Sequence, residues 1–156
     1  MRSAAVSVGE ERIAKVGRGL VVMLGVGAND QAVDGERLAR KLVDLRIFED
    51  ERGGLQHTIA EIGGAILAVP QFTLYGDIRR GRRPDFTHAA TPERGRALFD
   101  AFCGSVRATG VALETGRFGA QMRIELDADG PVTIVMTSDG WSEGELSVMH
   151  RTPNPM

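Results

Sequence analysis

Five consecutive apolar residues, Ala65-Ile66-Leu67-Ala68-Val69, constrain this chain more than any other stretch, because a run without polar alternation reads as a buried strand. The run continues into Pro70-Gln71-Phe72-Thr73-Leu74-Tyr75 and then breaks into the arginine-rich loop Ile78-Arg79-Arg80-Gly81-Arg82-Arg83-Pro84. A strand end beside a basic loop is where a site would sit. Sixty residues later the turn Asp129-Gly130-Pro131 feeds Val132-Thr133, and a Gly-Pro bond is one that can be held cis, although the base rate favours trans. Neither segment supplies an ordinary catalytic side chain, so the pair points to chemistry done by backbone.

Around this run the pattern alternates strands with two helices. Residues 4–8 and 12–16 flank Gly9-Glu10-Glu11 as a hairpin, and a strand is expected over 20–26. Asp30 is placed to cap a helix carrying Val33, Leu38, Leu42 and Leu45, with Gly35 weakening its first turn by up to about 1 kcal/mol. A strand at 46–48, a turn at 49–54 and an irregular piece lead to Gly63-Gly64, where the strand carrying Gln71 begins. Thr91-Pro92-Glu93 starts a second helix with a capping hydroxyl, a first-turn proline and an acid at the positive end of the dipole. It should run to Thr109 with Ala97, Leu98, Ala101, Phe102 and Val106 as its apolar stripe, ending at Gly110. Strands at 111–114, 121–126 and 132–136 complete an α+β domain: a mostly antiparallel sheet or half-barrel with two main helices.

With 156 residues, 42% hydrophobic and 26% charged, the chain fills one core and is too short for two. The domain is expected over 1–137, with 138–156 as a C-terminal tail, flexible because Gly140, Gly144, Pro153 and Pro155 punctuate it without a sustained apolar period. Trp141 is the one residue of that tail suited to docking. A net charge of -2 argues against broad adhesion to nucleic acid, so DNA is not an expected partner and any RNA contact must come from a local patch. The single Cys103 forms no internal disulfide and packs within a helix. No signal peptide or membrane span is visible, which favours the cytoplasm.

Gln71-Phe72-Thr73-Leu74, Gly130-Pro131-Val132-Thr133, the passage Leu38-Ala39-Arg40-Lys41-Leu42-Val43-Asp44-Leu45-Arg46-Ile47-Phe48 and Thr115-Gly116-Arg117-Phe118-Gly119-Ala120 together resemble the D-aminoacyl-tRNA deacylase family over roughly residues 3–136. The family's segments are Ser-Gln-Phe-Thr-Leu and Asn-x-Gly-Pro-Val-Thr. Here Pro70 replaces the serine and Ala128 the asparagine. The resemblance implies a deacylase-like fold and hydrolysis of the ester between a D-amino acid or glycine and the 3′ end of tRNA. It implies no cofactor and no metal, and the working unit as a homodimer. Family members also begin with a strand ahead of the Ser3-Ala4-Ala5-Val6 equivalent, so Met1 arrives about one strand late and an exposed sheet edge is expected.

The resemblance places the terminal adenosine against Gln71, Phe72 and Thr73, with the Phe72 N–H near the ester. Thr73 has no base tied to it by any pattern, so it is read as orienting by hydrogen bond rather than attacking, and positioned water with main-chain N–H groups, helped by the tRNA 2′-hydroxyl, is the expected route. Gly130 and Pro131, cis in the family and inserted into the partner's pocket, would reject L-amino acids by bulk. Arg79, Arg80, Arg82 and Arg83 suit acceptor-stem phosphates, and Arg117 is added to them. Two alternatives remain open: a related deacylase of relaxed chirality acting on L-alanyl-tRNA, motivated by Pro70 and Ala128, and a tRNA-binding relative without hydrolysis. Gly25-Val26-Gly27 imitates a dinucleotide loop, but Asp30 would repel a pyrophosphate; His57, His88 and His150 lack zinc-ligand spacing.

Overall fold

The computed structural model describes residues 1–138. Its elements run β1 (Ser3–Val8), β2 (Glu11–Val16), β3 (Gly19–Leu24), α1 (Ala32–Asp44), β4 (Phe48–Glu49), β5 (Leu55–His57), β6 (Ala65–Pro70), a 3-10 turn (Phe72–Tyr75), α2 (Pro92–Ala108), β7 (Ala112–Thr115) and β8 (Arg123–Asp127). Antiparallel β2-β1-β8 forms one sheet and parallel β3-β6-β7 another, with the β4-β5 ribbon beside them. The α+β class with two main helices holds. The sheet that carries Gln71 is, however, parallel throughout.

β6 is the wall between two cores. Ile66 and Ala68 pack with Ala39 and Leu42 of α1 and with Phe99, Phe102, Cys103 and Val106 of α2, while Leu67 and Val69 face Ala4, Val6, Ala14 and Val16 of the antiparallel sheet. Both faces are dry, which is why its sequence shows no alternation. All four of these β6 side chains are 0% exposed. Replacing Leu67 with alanine therefore removes a fully packed side chain, at a cost of about 2–5 kcal/mol.

Several expectations shift. The α1 cap is Gln31, not Asp30: the Asp34 carboxylate accepts the Gln31 N–H at 2.8 Å, and Asp30 instead accepts the Gly27 N–H at 2.7 Å. In α2 the Thr91 hydroxyl accepts the Arg94 N–H and Gly110 takes φ +85°, as its sequence dictates. Its buried stripe is Gly95, Phe99, Phe102, Cys103 and Val106, one face at helical spacing, and Ala97 and Ala101 stand exposed off that face. β1 is paired on both edges, by β2 and β8, so the open edges of that sheet belong to β2 and β8 rather than to β1. Residues 132–135 are exposed, with no strand there among the described residues. Trp141 and His150 lie outside the described residues, as does the tail beyond Ser138.

Candidate active site

The carboxyl ends of β3, β6 and β7 lie side by side, so the loops that follow them open on one edge of the parallel sheet, the edge where such sheets hold ligands. β6 delivers the central loop. Gln71 N–H still bonds the Leu24 carbonyl at 2.8 Å, after which the chain leaves the sheet and coils into one 3-10 turn. The sequence placed Gln71, Phe72 and Thr73 on the strand. They stand just beyond it, and Phe72 is 58% exposed with its ring edge-on to Phe86 at 5.1 Å.

Pro70 fits this geometry without loss. Since the Gln71 N–H points to β3, the preceding residue's nitrogen points to the β7 side, and the β6-β7 register ends two residues before Pro70, at Ala68 and Thr115. Position 70 lies past the last β6-β7 register pair, so the ring interrupts no pair of that ladder. Gly116 then closes over it: a β-carbon there would stand 3.4 Å from Pro70 Cδ and 2.7 Å from Met122 Sδ.

The Gln71 side-chain amide donates to the Thr73 hydroxyl. An amide takes no proton, and among the described residues no histidine, lysine or carboxylate bonds that hydroxyl, so Thr73 has no activating base. The N–H groups of Phe72 and Thr73 open the turn, the position where helical donors lack an intrahelical acceptor. What this edge offers is hydrogen-bond donors and a shaped surface.

The arginines divide. Asp77 and Asp85 exchange main-chain hydrogen bonds at 2.7 and 2.9 Å, pinching the base of the loop, and Arg79 pairs with the Asp77 carboxylate, holding it far below the usual range. Arg80, Arg82 and Arg83 are exposed beyond this pinch and make no ion pair among the described residues. Arg117 does not join them: it reaches Glu11 at 3.4 Å, near the β1-β2 turn.

Gly130 and Pro131 are exposed, and their peptide bond is trans, since no cis bond occurs among the described residues. The cis expectation is thus corrected. An isolated X-Pro bond prefers trans by about 0.5–1 kcal/mol, and nothing inside the single chain opposes that preference. Arg2 anchors the approach to this turn through Asp129 at 3.0 Å. No hydrogen bond or ring contact joins Gly130 or Pro131 to Gln71, Phe72 or Thr73 among the described residues.

A cleft that the sequence did not signal lies at the far end of the 3-10 turn, where Tyr75 Oη donates to Asp30 at 3.4 Å. Gly25 and Gly27 permit it, because a β-carbon at either would stand 3.1 Å from the Tyr75 ring or 2.7 Å from its hydroxyl. The glycine pair is therefore a seat for Tyr75 and not a nucleotide loop. Among the described residues no three His, Cys, Asp or Glu side chains group to hold a metal, and no helix is long and apolar enough to cross a membrane.

The profile of a family described as D-Tyr-tRNA(Tyr) deacylase matches residues 1–137. The chain belongs to this family. A D-aminoacyl-tRNA deacylase of Roseiflexus sp. (strain RS-1) is 50% identical over 135 residues, covering 86% of this chain and 87% of that protein. One of Anaeromyxobacter dehalogenans (strain 2CP-C) is 54% identical over 123 residues, covering 79% and 83%. Among solved structures, the c-Myc DNA Unwinding Element Binding Protein superposes with a TM-score of 0.78 at 36% identity, covering 84% of this chain and 89% of that one. A probable eukaryotic D-amino acid tRNA deacylase shares the fold, with a TM-score of 0.73 at 21% identity and coverage of 84% and 91%.

Proposed function

We propose that this chain is a hydrolase that cleaves the ester between a D-amino acid, or glycine, and the 3′ end of tRNA. Water adds to the ester carbonyl, and collapse of the adduct releases the free amino acid and a tRNA with its terminal hydroxyl restored. The observation that carries this reading is the Gln71-Phe72-Thr73 turn, set at the edge of a parallel sheet in a chain whose relatives, about half identical to it, are D-aminoacyl-tRNA deacylases. An aminoacyl ester is already reactive, so orientation and main-chain donors aimed at the developing oxyanion suffice without a nucleophilic side chain. Thr73, held by Gln71, orients; the tRNA 2′-hydroxyl assists.

The tRNA backbone binds at Arg80, Arg82 and Arg83, which make no ion pair among the described residues, with acceptor-stem phosphates as their partners. The enzyme works as a cytoplasmic homodimer. In support, Val132, Ile134 and Val135 are 54%, 40% and 66% exposed on a segment outside any strand among the described residues, and Phe72 and Leu74 are 58% and 59% exposed at the site, more apolar surface than a lone domain usually leaves wet. In the dimer the Gly130 and Pro131 main-chain carbonyls of one subunit face the substrate α-carbon bound in the other, where an L side chain clashes and a D side chain does not.

The test is ester loss from tRNA charged with D-tyrosine, L-tyrosine, glycine or L-alanine. Cleavage of the D-tyrosyl and glycyl esters alone is expected. Loss of the L-alanyl ester would replace this reading with a deacylase of relaxed chirality, and tight binding without turnover would replace it with a tRNA-binding protein.

A further inference from the structure

We propose that the cleft between the β3-α1 loop and the far end of the 3-10 turn binds the nucleobase of the nucleotide preceding the terminal adenosine, an inference that rests on the deacylase reading. The cleft has a volume of about 540 Å³, within the usual size of small-molecule sites, and neither Gln71, Phe72 nor Thr73 lines it. It adjoins the turn that carries those residues and extends to the base of the arginine loop, so a strand of RNA leaving the ester toward Arg80, Arg82 and Arg83 passes over it.

Its lining suits a base better than a phosphate. Asp30 contributes a carboxylate already engaged by Gly27 N–H and Tyr75 Oη, Asn29 an amide and His88 an imidazole, while Leu74 and Ile78 supply flat apolar surface. The two apolar side chains are 59% and 76% exposed. Among the described residues that line the cleft the one cation, Arg79, is spent on Asp77. Arg94 is turned to the Asp30 main-chain carbonyl, so the Asp30 carboxylate, in no ion pair among the described residues, disfavours a phosphate but accepts from the exocyclic amine of a cytosine, the base that precedes the terminal adenosine in every mature tRNA. The Gly25 and Gly27 seat fixes Tyr75 as one wall, so the cleft is formed before any ligand arrives.

The experiment compares kcat/KM for D-tyrosyl esters of intact tRNA and of tRNA abasic at the penultimate nucleotide, in the unaltered protein and in Ile78→Ser and Asn29→Ala, both surface positions. Removing the base should cost the unaltered protein about tenfold, and this penalty should shrink toward unity in the variants. Near-equal rates on the two substrates in the unaltered protein overturn the proposal, as does a penalty that persists undiminished in both variants. Failure of the deacylase reading itself shows separately, as no cleavage of the intact D-tyrosyl-tRNA.

Discussion

Arg79 closes on both carboxylate oxygens of Asp77, with Nε at 2.9 and 3.0 Å and a terminal nitrogen at 2.5 Å. The Arg79 hydrogen bonds, then the Arg79 N–H and its charge, hold the Asp77 carboxyl well below the ordinary range. A depressed folded-state value means the clamp contributes above the unfolded value of 3.8 and is lost as pH falls through the folded one. Following the Asp77 carboxyl by NMR should show it ionised well below pH 3.8, and Arg79→Gln should return its titration toward that value. An unchanged titration in the variant would remove the clamp from the account.

The same pairing sorts the four loop arginines by role. Arg80→Gln, Arg82→Gln and Arg83→Gln should each weaken tRNA binding and reduce the slope of log K against log salt by about one. Arg79→Gln should alter that slope less, since its charge is already answered by Asp77. Binding measured from low to moderate salt decides the matter; four equal changes in slope would assign Arg79 to phosphate as well.

Thr73 takes one hydrogen bond from Gln71 and has no base behind it among the described residues. Thr73→Ala should therefore retain activity to within about tenfold, the worth of one orienting hydrogen bond. Single-turnover deacylation with folding checked by circular dichroism measures this, and total loss in a folded variant would make Thr73 the nucleophile.

Two glycines should respond in opposite senses to alanine. At Gly27 the added carbon stands 2.7 Å from Tyr75 Oη and 2.9 Å from Cζ, so Gly27→Ala should destabilise by about 1–3 kcal/mol. At Gly35, inside α1, it would meet Phe102 Cβ at 3.6 Å, an ordinary contact, so Gly35→Ala should stabilise by about 0.5–1 kcal/mol through helix propensity. Urea unfolding curves report both.

Burial raises the Cys103 thiol to about 11, against 9.0 unperturbed. It should resist alkylation at pH 8 in the folded protein and react at once in urea. The stability tied to the neutral thiol is complete below about pH 9 and declines as pH rises toward the folded value.

Local signals with one physical cause were readable from the chain. Thr91, Pro92 and Gly110 bounded α2 because capping and left-handed turns depend on the residues themselves. The apolar run 65–69 announced a buried strand, but its parallel pairing to β3 and β7 depends on partners over 40 residues away and left no mark in the run. Gln71, Phe72 and Thr73 were found by motif, yet their 3-10 turn was not, since strand and turn compete where Pro70 ends the ladder. Asp30, Tyr75, Gly25 and Gly27 come together only through tertiary packing, so the cleft had no pattern to betray it. Charge alone would set Arg117 with the loop arginines, whereas the fold pairs it with Glu11.

β6 belongs to both cores at once, and the loop bearing Gln71 hangs directly from its end. Separating that strand from either neighbour layer means dissolving the whole domain, so amide protons of Ile66 to Val69 should exchange only through global unfolding. The loop proposed to hold the ester thus inherits its fixity from the most slowly opening part of the molecule, and mutations that loosen either core should blur discrimination between esters before they abolish the fold.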